Sequence, residues 1–92
     1  MLFRSATVNG ARALGLETGE IREGAIADLS IVDIENSSFL SPGTFLANLI
    51  YAAHSDVISS VIAAGRFVMR DRKVEGEEEI LAGARKVLTQ IL

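Results

Sequence analysis

Val57-Ile58-Ser59-Ser60-Val61-Ile62-Ala63-Ala64-Gly65-Arg66-Phe67-Val68-Met69 is the stretch that decides the fold. Val57, Ile58, Val61 and Ile62 crowd β-branched side chains into a run of strand length. Gly65-Arg66 reads as a turn, and Phe67-Val68-Met69 returns as the second arm of a hairpin. A further turn at Asp71-Arg72 precedes Val74. A hairpin cannot bury its apolar face alone, so the flanking segments must supply more sheet and cover for it.

On the C-terminal side, Glu77 to Ile91 is amphipathic, with Ile80, Leu81, Ala84, Val87, Leu88 and Ile91 in one stripe. Glu77, Glu78 and Glu79 at its start and Arg85 and Lys86 towards its end match the helix dipole. Packing on the sheet is the expected use of this stripe; docking into a partner's groove is the other.

On the N-terminal side, Phe45 to Ala53 reads as a short helix with Phe45, Leu46, Leu49 and Ile50 on one side. The polar stretch from Glu35 to Thr44 holds the only proline, Pro42, and reads as a loop. Ala27 to Ile34 is a short apolar run bounded by polar residues, as a buried strand requires. Gly19 to Ile21 is expected to add a short strand before a turn at Glu23-Gly24. Residues 2–14 read as a helix, with Phe3, Ala6, Thr7, Gly10, Ala13 and Leu14 at helical spacing and Gly15 in the left-handed capping position. Glycine inside a helix costs roughly 1 kcal/mol against alanine, so Gly10 needs a packing reason.

These elements predict an α+β fold: a small sheet of four short strands with one helix at each end. Two helices cover only part of such a sheet, so one side lacks its partner.

Composition narrows the function. The chain has 92 residues, 49% of them apolar, and a net charge of −3. It holds core material but no basic stripe, which speaks against a nucleic-acid surface. There is no cysteine, so disulfides and thiolate metal sites are excluded. No apolar run reaches the roughly 18 residues of a membrane span. The start, Met1 to Ser5, lacks the pattern of a secretion signal, and a cytoplasmic location is expected.

The chemistry-bearing residues are sparse. His54 is the only histidine, too few for a zinc site that takes three or four His, Cys, Asp or Glu ligands. Glu77, Glu78 and Glu79 are consecutive on a helix and diverge, as a solvated helix start does. His54, Ser55 and Asp56 are adjacent, so they cannot line up as base and nucleophile; they are expected to make local hydrogen bonds between a helix and a strand. Asp28 is expected to accept backbone N–H groups and fix the entry of its strand. No residue is assigned a catalytic, cofactor-binding or metal-binding role.

Ala6-Thr7-Val8-Asn9-Gly10-Ala11-Arg12-Ala13-Leu14-Gly15-Leu16 resembles the last barrel helix of the amidohydrolase superfamily. Gly19-Glu20-Ile21-Arg22-Glu23-Gly24-Ala25-Ile26-Ala27-Asp28-Leu29-Ser30-Ile31-Val32-Asp33 resembles its G-x-I-x-x-G-x-x-A-D-L strand pair. Val57 to Val68 resembles its closing hairpin, and FLANLIYAA from Phe45 to Ala53 is most similar to the branch of methylthioadenosine/S-adenosylhomocysteine deaminases and triazine chlorohydrolases.

The resemblance implies that residues 1–16 are the last helix of a (β/α)8 barrel. Residues 17–92 would then be the C-terminal part of a composite β-sandwich domain. It implies a metal-dependent hydrolase acting on C–N bonds, of deaminase or chlorohydrolase type. A divalent zinc or iron ion would be held by histidines and an aspartate that precede this region. This chain would be inactive and without a cofactor of its own. Its partners would be the barrel and N-terminal strands of the same protein, and the isolated chain should self-associate into oligomers through its open sheet. The alternative is a stand-alone, non-enzymatic assembly or binding module descended from the same β-domain. The small residues around Gly10 favour the first reading, because they suit close packing on a barrel wall.

Overall fold

The computed structural model describes residues 2–92. Two short helices open it, α1 (Leu2–Ala6) and α2 (Val8–Leu14). A sheet of β1 (Leu29–Val32), β2 (Ile58–Ala63), β3 (Arg66–Arg70) and β4 (Lys73–Val74) follows, with helix α3 (Phe45–Tyr51) between β1 and β2. Helix α4 (Glu77–Ile91) ends it. The fold class is α+β, as expected.

The predicted N-terminal helix is interrupted at Thr7, whose backbone leaves the helical region at φ −121°, ψ −99°. Its hydroxyl donates to the Phe3 carbonyl at 2.8 Å, a side-chain bond that competes with the helix ladder. The helix then ends as its sequence dictates. Gly15 is left-handed at φ 71°, and the Leu16 N–H reaches back to the Ala11 carbonyl at 2.9 Å.

All strand pairs are antiparallel, in the order β1-β2-β3-β4. Leu29 pairs with Ile62 and Ile31 with Ser60, before a bulge that sets Val32 opposite Ile58. The β2–β3 turn falls on Ala64-Gly65, one residue earlier than expected, and Arg66 is the first residue of β3. Ala64 at φ 49° and Gly65 at φ 79° supply the two positive φ values that a two-residue hairpin needs. Asp71 and Arg72, at φ 49° and 65°, make the same kind of turn without any glycine.

Four strands were expected and four are present, but one of them is different. Gly19 to Ile21 is not a strand. Gly19 sits at φ 93°, outside extended geometry, and Ile21 is 88% exposed. The Ile26 N–H closes this loop on the Glu17 carbonyl at 2.7 Å, and the expected turn forms with Ala25 N–H on the Arg22 carbonyl. The fourth strand is β4, where the Asp71-Arg72 turn brings Lys73 and Val74 back against Arg70 and Met69.

The loop from Glu35 to Thr44 contains one 3-10 turn, Ser37–Phe39, capped by the Asn36 side chain. Thr44 caps α3 by accepting from the Ala47 N–H at 3.1 Å. The Phe39 and Phe45 rings stack at 5.5 Å and tie loop to helix.

The expectation that α4 packs on the sheet is corrected. None of its residues is buried, and Glu78 to Leu92 are all exposed. Among the described residues only Ala11, Val57 and Ser60 are buried. The Cα radius of gyration is 17.0 Å, against roughly 12–13 Å for a compact domain of this length. The accessible surface is 7454 Å², against about 5,200 Å² for a compact monomer of 9.8 kDa. No described helix is long and apolar enough to cross a membrane.

Candidate functional site

An open cleft of about 910 Å³ lies between the N-terminal helices, β1 and α3. Phe3, Gly10 and Leu14 form one wall, Leu29 and Val32 the floor, and Phe45 and Leu49 the far wall. Its lining is largely apolar because each contributing element turns its apolar side inwards, and no other described residue covers it.

Two glycines let the wall form. A Cβ on Gly10 would stand 2.6 Å from the Ser5 carbonyl oxygen. The break at Thr7 folds α1 back towards α2 and removes the room that an ordinary helix would leave. A Cβ on Gly19 would stand 2.6 Å from the Thr7 carbonyl oxygen and 3.0 Å from the Val8 Cα. The packing reason expected for Gly10 therefore exists, but it lies inside this chain.

Asp28 borders the same cleft and does more than fix its own strand. Its Oδ1 accepts the Ala64 N–H at 2.8 Å, while the Ala27 carbonyl accepts the Gly65 N–H at 2.9 Å. The residues before β1 thus hold the β2–β3 turn at the opposite end of the neighbouring strand. A second polar cluster ties the other end of the sheet. The Arg72 guanidinium donates to Asp33 Oδ2 at 3.4 Å and to the Asp56 carbonyl at 3.0 Å. Buried Ser60 accepts the Asp71 N–H at 3.1 Å.

Neither cluster includes His54 or Ser55. His54 is exposed and precedes the 3-10 turn Ser55–Val57, where its carbonyl accepts the Val57 N–H at 3.2 Å. Asp56 points its Oδ2 to Asn36 Nδ2 at 3.4 Å, away from any nucleophilic role with Ser55. Glu77, Glu78 and Glu79 lie on the first turn of α4. Among the described residues no three His, Asp or Glu side chains converge to hold a metal ion.

Sequence reading expected one side of the sheet to lack its partner and singled out the small residues at Ala6 and Gly10; that Leu29 and Phe45 face them could be found only once the elements were placed.

Fold and cleft together define a class: a helix-flanked antiparallel sheet with an open apolar cleft beside it. The chain belongs to the amidohydrolase family, whose sequence profile matches residues 1–68. It is 42% identical over 73 residues to 5-methylthioadenosine/S-adenosylhomocysteine deaminase of Pyrococcus horikoshii, covering 79% of this chain and 17% of that protein. It is 37% identical over 92 residues to 5'-deoxyadenosine deaminase of Methanococcus aeolicus, covering 98% of this chain and 21% of that protein. Among solved structures it is similar to a zinc-bound adenosine deaminase from Xanthomonas campestris. The TM-score is 0.78 at 33% identity, over 97% of this chain and 21% of that one. The chain spans about a fifth of the length of these relatives.

Proposed function

We propose that this chain is the C-terminal part of a metal-dependent amidohydrolase that cleaves C–N bonds, of the deaminase or chlorohydrolase type. Its role is structural. Residues 1–16 are the last helix of the barrel, and residues 17–92 are the C-terminal part of the composite β-domain. The preceding barrel and strands cover the cleft, and the metal, zinc or iron, is held there by residues outside this chain.

The observation that carries this reading is the cleft itself. A body of at least several hundred Å² must cover Phe3, Leu29, Phe45 and Leu49 to give this chain the compactness of a folded domain. The similarity to adenosine-type deaminases over nearly all of this chain supports the same reading. Gly10 no longer discriminates it from a stand-alone module, because the steric demand on Gly10 is met by Ser5 within the chain.

The decisive measurement is the coding sequence upstream of the Met1 codon. An open frame of a few hundred codons, with a His-x-His pair after a strand, is the expected result. A stop codon directly before a start signal at Met1 would sink the enzymatic reading and leave the binding module.

A further inference from the structure

We draw no further inference here: the strongest candidate, the exposed apolar stripe of Ile80, Leu81, Val87 and Leu88 along α4, is an unpartnered helix face, and nothing in the structure shows what covers it.

Discussion

At the scale of single residues, this chain is shaped by backbone atoms that come too close for side chains. Gly10 is the clearest case. Replacing it with alanine would recover about 1 kcal/mol of helix propensity, but the new Cβ would lie 2.6 Å from a carbonyl oxygen. Overpacking of this kind costs roughly 1–3 kcal/mol, so Gly10→Ala is expected to destabilise by about 1 kcal/mol in urea titration. A neutral or stabilising result would mean that α1 and α2 are not folded together as described. Asp28 carries the other residue-scale prediction. Asp28→Ala removes the acceptor of the Ala64 N–H. Since Asp28 is solvent-exposed, the expected loss is about 1 kcal/mol. Asp28→Asn, which keeps an acceptor oxygen, should recover part of it.

At the scale of elements, the two hairpin turns demand left-handed backbone from residues that resist it. Ala64 adopts φ 49° beside Gly65, at a cost of roughly 1–2 kcal/mol for an L-residue with a Cβ. Ala64→Asn creates the preferred Asn-Gly pair, and its backbone N–H can still donate to Asp28. An increase in stability of about 0.5–1 kcal/mol is expected from thermal melting; a decrease would contradict the turn geometry. Sequence reading located this hairpin because β-branched crowding and a glycine turn are local signals. It misplaced the turn by one residue, since only the register between Ala63 and Arg66 decides which residue begins β3. It also assigned Gly19 to Ile21 to a strand. An apolar Ile21 beside a polar Glu20 permits a strand but does not supply a neighbour to pair with, and Gly19 is held in a bend by its closeness to Thr7 and Val8.

At the scale of the whole molecule, the sheet is the stable centre and the helices are peripheral. β2 is paired on both edges and carries buried Ser60, with buried Val57 just before it. Hydrogen exchange is therefore expected to be slowest in β2 and fast in α1, α2 and α3, whose apolar sides line an open cleft. Protection spread evenly over β2 and the N-terminal helices would mean that the cleft closes in solution. The candidate site follows the same division. The single histidine and the lack of cysteine are readable from the sequence, whereas the cleft depends on residues as far apart as Phe3 and Ile58.

By itself the sequence determined the α+β class, the β2–β3 hairpin, the extent of α4 and the Gly15 cap. Each rests on periodicity or on one residue's backbone preference, both readable within a few positions. Only the tertiary structure decided that Gly10 answers to Ser5, that Asp28 holds a turn 36 residues away, that β4 rather than Gly19 to Ile21 completes the sheet, and that α4 leaves its stripe exposed. These are contacts between distant segments, or their absence. Local patterning states which face of an element is apolar but not which surface, in this chain or another, will cover it.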